Sequence, residues 1–275
     1  MSHIAYFIWD PSPGIFNFNI PLLNRPILWY GFFFALGFFI GYHVLNYLLR
    51  EFFFSPLHQD VKERAAKVAE LLTFYVIIGA IIGSRLGDVI FYQDFAQIVR
   101  DPLSIIAVWQ GGLASHGGAA GILIALWIFA KRRKIPFWTA VDFTVIPTAI
   151  AAVCIRVGNF FNQEILGVPT SLPWGVLFLH PADGGQIVPR HPAQLYEALW
   201  YLGVFVILLL YWRRHAFRIQ GKLTGLFLIL VFSFRFLIEF LKVEQSVYFE
   251  ADAFLTMGQW LSLPFIALGI WLYRK

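Results

Sequence analysis

Charge is scarce in this chain. Of its 275 residues only 13% are Asp, Glu, Lys or Arg, whereas 59% are hydrophobic and the mean hydropathy is +0.69. Soluble globular proteins carry about 25% charged residues. A chain of this size in water leaves roughly a quarter of its unfolded surface exposed and cannot hide so much apolar area. The shortage excludes disorder, a fibrous repeat and an ordinary cytosolic enzyme. Cysteine is nearly absent too. Cys154 stands alone, which excludes an internal disulfide framework and leaves cysteine usage silent on redox compartment. No Cys/His set has zinc-site spacing, so neither metal nor other cofactor is expected. Met1 to Trp9 lack a basic region and a small-residue cleavage site, so no removable signal peptide is expected. The solvent that fits this composition is the lipid bilayer.

Apolar stretches near membrane-crossing length, about 20 residues, fall at roughly 28–48, 69–92, 113–130, 139–157, 195–212, 223–241 and 257–273. Their ends carry Trp29, Tyr30, Tyr92, Trp138, Tyr211, Trp212 and Tyr273, as an interfacial aromatic belt requires. The second and fourth stretches are interrupted by polar residues and fit a simple span least well.

The basic residues divide by position. Fourteen lie in one alternating set of loops: Arg50, Lys62, Arg64 and Lys67; Lys131 to Lys134; Arg213, Arg214, Arg218 and Lys222; Arg274 and Lys275. The other set holds four, Arg25, Arg100, Arg190 and Lys242. The positive-inside rule then places the N-terminus outside and the C-terminus in the cytoplasm. The net charge of +5 is therefore a topology signal rather than a mark of nucleic-acid binding. It also suits anionic headgroups among the membrane lipids. The expected fold is an all-α polytopic membrane protein of about seven helices, with residues 1–275 forming one integral membrane domain.

Three of the 21 basic residues remain: Arg85, Arg156 and Arg235. They fall inside or at the ends of expected spans, accompanied by Asp88, Glu164, Glu197 and Glu239. A charge at membrane depth costs at least ~2.5 kcal/mol and marks a functional site by default. The densest group runs from Arg156 through Gly158, Asn159, Asn162 and Glu164 to Gly167. Arg156 and Asn159 share one helical face, and a guanidinium suits a phosphate. The plain alternative is a snorkelling Arg followed by a capping Asn. Arg235 and Glu239 are four apart on an otherwise apolar span, either a self-neutralised pair or a second phosphate-facing Arg steadied by its carboxylate. Arg85 and Asp88 read as a local pair. Glu197 either favours the start of its helix or serves the site. His116 lies among glycines and is of the residue type that most often serves as a general base, although a lone His is more often a hydrogen-bonded core residue. Tyr30 reads equally as a belt residue.

Small residues repeat at four-residue spacing in Gly37/Gly41, Gly79/Gly83/Gly87 and Gly117/Gly121, which marks close helix packing in lipid. The segment of roughly 158–194 is rich in Pro and Gly and reads as a small external cap folded over the charged cluster. The polar groups gather towards the outer half of the bilayer, where a lipid phosphate would lie. An ion path would instead need them at every depth. A transporter or carrier of an anionic solute or lipid is the alternative, but the inverted repeats it predicts are not evident.

The run Arg156-Val157-Gly158-Asn159-Phe160-Phe161-Asn162-Gln163-Glu164-Ile165-Leu166-Gly167 resembles the signature R-x-G-N-F-x-N-x-E-x-x-G of bacterial prolipoprotein diacylglyceryl transferases. Further matches follow that family's order: Trp29-Tyr30-Gly31, Gly83-Ser84-Arg85-Leu86-Gly87, Ser115-His116-Gly117-Gly118, Arg190-His191-Pro192-Ala193-Gln194-Leu195-Tyr196-Glu197, Arg235-Phe236-Leu237-Ile238-Glu239-Phe240 and Met257-Gly258-Gln259. The resemblance covers nearly the whole chain. Ile155 stands where the family usually has Gly, and Asp88 where an aromatic is usual.

The resemblance implies an enzyme of the bacterial inner membrane with its site facing the outer leaflet. It would transfer the diacylglyceryl group of phosphatidylglycerol to the lipobox cysteine thiol of a prolipoprotein signal peptide. The products would be a thioether and glycerol phosphate, in the first step of lipoprotein maturation. Carried onto matching positions, Arg156 and Arg235 would hold the lipid phosphate, with Arg85, Gly167 and Glu197 also on the phosphatidylglycerol side. Tyr30, Asn159, Glu164 and Glu239 would be required around them, and His116 would be the candidate base.

Overall fold

Seven long helices form where seven apolar stretches stand in the sequence. In the computed structural model they are α1 (Trp29–Phe52), α2 (Val61–Phe91), α3 (Ser115–Arg133), α4 (Phe137–Phe161), α5 (Ala193–His215), α6 (Lys222–Ile238) and α7 (Met257–Arg274). The structure describes residues 6–20, 25–53, 60–94, 98, 100–106, 114–215, 220–243 and 254–275. Arg218 of the basic loops and the glycines before His116 at 111–112 lie outside them. Among the described residues, five helices are long and apolar enough to cross a membrane: α1, α2, α4, α5 and the segment Lys222–Leu241 that contains α6. The second and fourth stretches, interrupted as they are, belong to this set.

α2 begins eight residues before its apolar stretch. Its first turns, Val-Lys-Glu-Arg-Ala-Ala-Lys, are made of strong helix formers, and Lys67 reaches back to Glu63 at 2.5 Å in an i,i+4 pair. Helix propensity thus carries the helix past the end of the hydrophobic signal.

The chain divides into two units, Met1–Gly41 with Val145–Lys275, and Tyr42–Thr144. Within Tyr42–Thr144, α2 and α3 approach backbone to backbone through the spaced glycines. A Cβ on Gly79 would lie 2.6 Å from the Gly121 carbonyl oxygen, and one on Gly87 would lie 2.8 Å from the Gly117 Cα. In this unit Arg132 also donates to the Tyr75 hydroxyl at 2.9 Å.

In the other unit Gly37 faces Ala151 and Gly41 faces Pro147, so the first part of α1 lies against the second part of α4. α5 meets α6 through Trp200, which stacks on Phe234 at 4.7 Å and donates to the Leu230 carbonyl at 3.0 Å. The connection between α4 and α5, expected as an external cap, carries short strands. β1 (Phe7–Trp9) runs parallel to β4 (Val176–Phe178), which pairs antiparallel with β5 (Pro189–Arg190). β2 (Gly14–Ile20) pairs with β3 (Arg25–Leu28) as a separate ladder. Phe160, Leu166, Val176 and Phe178 form the small core beneath the sheet, with Trp9 and Leu195 packed against it. Arg190 spans the cap to Asp183 at 3.1 Å. The strands escape a hydropathy reading because they are two to seven residues long.

Candidate active site

The end of α4 is shaped by two residues in an unusual backbone conformation. Gln163 and Ile165 have φ of 52° and 58°, a region that is a genuine outlier for a β-branched residue such as Ile. They flank Glu164 and turn it back towards the helix that it leaves. Its Oε1 accepts from Asn159 Nδ2 at 2.7 Å, its N–H donates to the Asn159 carbonyl at 3.1 Å, and its carbonyl accepts from Gln194 at 2.6 Å. The backbone strain, about 1–3 kcal/mol per residue, is held by these bonds and by Gln163, which accepts from the His180 N–H at 2.7 Å.

Asn159 in turn accepts from Arg156 Nη1 at 3.0 Å, one helical turn earlier. Arg156 Nε lies 3.1 Å from Glu197 Oε2 on α5, and the guanidinium sits over the Tyr201 ring at 6.0 Å. Glu197 is fully buried. Its other oxygen faces Lys242 Nζ at 3.9 Å, and Lys242 also lies 3.7 Å from Glu239 Oε2. The result is a continuous network, Glu164–Asn159–Arg156–Glu197–Lys242–Glu239, in which the Asn159 amide links Glu164 to Arg156 and cations and carboxylates alternate from there on. Buried charges persist when paired in this way. Lys242 follows the spanning segment, and its burial pushes its pKa below the usual lysine range despite the two carboxylates beside it.

Arg235 differs from Arg156. It is half-buried, and its charge is felt at Lys242. Among the described residues it makes neither a hydrogen bond nor an ion pair. The self-neutralised Arg235–Glu239 pair is therefore not formed. α6 ends at Ile238 and tightens into a 3₁₀ turn over Glu239–Leu241, so Glu239 leaves the i+4 register and meets Lys242 instead. Its carboxylate rests on the first turn of α7. A Cβ on Gly258 would lie 2.5 Å from the Glu239 carboxyl carbon and 2.8 Å from Oε2. Gln259 closes a capping box with Thr256 and donates to the Phe236 carbonyl at 3.3 Å, fixing the two helix ends together.

Two glycines of the run are required by close approach. Gly158 lets the Tyr30 ring lie against α4, since a Cβ there would fall 3.2 Å from Tyr30 Cδ2. Tyr30 is thereby placed within electrostatic reach of Glu164 and Arg156. Gly167 lies where three backbone segments cross, and its Cβ would meet the His191 carbonyl oxygen at 2.5 Å and the Leu241 carbonyl oxygen at 2.9 Å. Gly167 N–H donates to His191 at 3.2 Å and Val168 N–H to Leu241 at 3.0 Å. Gly167 therefore joins the segments that carry Glu164, Glu197 and Lys242.

The structure thus brings together Tyr30, Arg156, Asn159, Glu164, Gly167, Glu197, Arg235 and Glu239. Arg85 and His116 belong to the unit Tyr42–Thr144. Arg85 is buried, lies 3.2 Å from Asp88, and donates to the carbonyls of Ile105 and Ser104. Its guanidinium clamps the short 3₁₀ turn Pro102–Ile106. His116 is exposed in the first turn of α3, with Nε2 3.4 Å from the Tyr92 hydroxyl. Sequence reasoning missed Lys242, counted there as a loop charge, and Tyr201. Lys242 lies seven residues after Arg235, two helical turns on, which was the signal available.

The protein is predominantly helical, has helices of membrane length and buries an arginine, a lysine and carboxylates against one another, which sets it among multi-pass membrane proteins with a buried ionic site. The family profile of prolipoprotein diacylglyceryl transferase matches residues 17–274. A phosphatidylglycerol–prolipoprotein diacylglyceryl transferase of Porphyromonas gingivalis is 41% identical over 98% of this chain and 94% of its own. Proteins of the same name from Tolumonas auensis and Protochlamydia amoebophila are 40% and 33% identical, over 95% and 99% of this chain and 94% and 96% of theirs. The chain belongs to the prolipoprotein diacylglyceryl transferase family.

Proposed function

We propose that the chain transfers the diacylglyceryl group of phosphatidylglycerol to the lipobox cysteine of a prolipoprotein, the first step of lipoprotein maturation. The cysteine thiolate attacks the glycerol carbon that bears the phosphate. A C–S thioether bond forms, the C–O bond breaks, and the phosphate departs with its headgroup glycerol as glycerol phosphate. The observation that carries this reading is the contrast between the two arginines. Arg156 is oriented by Asn159 and Glu197, whereas Arg235 keeps its donors uncommitted for a phosphodiester.

Both arginines then stabilise charge building on the departing phosphate, in a site dry enough for that charge to be felt strongly. Glu197 holds Arg156 in place, and Lys242 bridges Glu197 to Glu239. His116 takes the thiol proton. Residues 1–275 work as one membrane domain of seven spans in the bacterial inner membrane. The N-terminus lies outside, the C-terminus lies in the cytoplasm, and the site faces the outer leaflet. This orientation rests on the fourteen-to-four division of basic residues between alternate loops.

The test is incubation of the purified protein with phosphatidylglycerol labelled in its acyl chains and a peptide carrying a lipobox cysteine. Label on the peptide is expected. Loss of phosphatidylglycerol without labelled peptide would contradict the reading. The anionic carrier is not favoured, because the family profile and the relatives are those of transferases.

A further inference from the structure

A cavity of about 650 Å³ opens within the unit Tyr42–Thr144, among residues that take no part in the Arg156–Glu197 network. Four helix ends frame it: the close of α1, the first turns of α2, the last turns of α3 and the start of α4. One side is aromatic. Phe129 and Phe143 are buried there, and Phe52 packs edge-on against Phe143 at 5.2 Å. The other side is charged, with Arg64 and Lys67 from α2 and Arg133 from α3, opposed by Asp60 and Glu63.

Lys67 and Glu63 cancel one another at 2.5 Å. Arg64 and Arg133 then outnumber Asp60. Arg64 lies over the Phe53 ring at 4.8 Å, and neither guanidinium makes a hydrogen bond or ion pair to a described residue. Two uncommitted guanidiniums above an aromatic wall fit an amphiphile with an anionic head. The volume lies within the range of a specific ligand pocket. Both arginines belong to the basic set that the positive-inside rule assigns to the cytoplasmic rim. Anionic headgroups gather there, and basic pockets between helix ends bind them.

We infer that this cavity is a second lipid site, which holds the phosphate of an anionic phospholipid on Arg64 and Arg133 with the first carbons of its chains against Phe52, Phe129 and Phe143. The occupant is bound and not turned over. It couples the ends of α1 to α4 to the inner leaflet.

Native mass spectrometry of the full chain, stripped of lipid in detergent, tests this without turnover. Its failure is therefore separable from failure of the transferase reading. The probes are dioleoylphosphatidylserine and dioleoylphosphatidylcholine at equal concentration. The first is chosen because its headgroup is not that of the proposed substrate. The wild type is expected to retain one phosphatidylserine in preference to phosphatidylcholine by about 30-fold, the worth of two interfacial arginines. R64Q/R133Q should lose the preference. R64K/R133K should keep it, and T139W, which fills the cavity with its charges intact, should lose retention. Equal retention of both lipids, or unchanged retention in R64Q/R133Q, would overturn the inference. So would full displacement of phosphatidylserine by millimolar inorganic phosphate, which would make this a phosphate-ion site.

Discussion

Arg156 Nε and Glu197 Oε2 lie 3.1 Å apart, with the carboxylate fully buried and a second cation, Lys242, on its other oxygen. One acidic side chain on α5 therefore fixes two cations contributed by separate segments. The arrangement assigns Glu197 the work of positioning rather than contact with lipid. Glu197→Gln keeps the volume and removes the charge. We expect transfer to fall about 100-fold, as for displacement of a positioning group, with Glu197→Asp recovering part of it. Rates of peptide lipidation for the two variants check this, and equal loss in both would contradict it.

Lys242 gives a pH signature. Its pKa is lowered by burial in the folded protein, so between that value and the free-lysine value of about 10.4 the unfolded chain binds the extra proton. Stability from this group therefore rises with pH through the window, and it is lost as acid charges the buried ammonium. Lys242→Met abolishes that slope and leaves two carboxylates without their shared cation, at a cost of about 3 kcal/mol. Thermal unfolding in detergent should show the gap between wild type and variant widening as pH is raised from 7 towards 10. A narrowing gap would reverse the assignment.

Gly258 and Gly167 are both crowded, but by different atoms. Alanine at 258 meets the flexible end of Glu239, whereas alanine at 167 meets the backbone of His191 and Leu241. Gly258→Ala should lower transfer by about 10-fold or more by moving the carboxylate, a misplacement effect, with little change in unfolding temperature. Gly167→Ala should lower both. Measuring activity and melting side by side separates them.

His116 should matter less than Arg235. A thiol of pKa about 8.5 is already a few per cent ionised near neutral pH. A base can therefore gain at most about 10- to 30-fold, and that gain vanishes above the thiol pKa. Loss of a charge-stabilising donor costs about 100- to 1000-fold at any pH. Initial rates for His116→Gln and Arg235→Ala at pH 7 and pH 9 decide this. The His defect should shrink at pH 9 and the Arg defect should persist. A His116→Gln defect larger than that of Arg235→Ala at pH 7 would reverse the order.

The helices were legible because each long apolar stretch stands out in hydropathy, and the cluster because charge is so costly in lipid that three interior arginines are conspicuous. The sheet of β1, β4 and β5 was not, since strands of two or three residues carry no periodicity. The Lys242 position was hidden by a sound rule: a lysine just past a span counts as a loop charge unless the segment after the helix packs on the site, as it does here where a 3₁₀ turn follows Ile238 and Lys242 bridges Gly167. The Arg235–Glu239 spacing misled for the same reason. An i,i+4 pair exists only while the helix continues, and nothing in Phe236-Leu237-Ile238 announces its end.

The bond that is made defines the reaction. After incubation with phosphatidylglycerol of a single defined acyl composition, the mass of the lipobox peptide reports that bond directly. We predict a gain of one diacylglyceryl group on the cysteine, from which mild base removes the two ester-linked acyl chains and leaves a glyceryl thioether, with an equal amount of glycerol phosphate released. A lipid adduct that mild base removes entirely to return the free thiol, or an unchanged peptide mass while lipid is consumed, would contradict it.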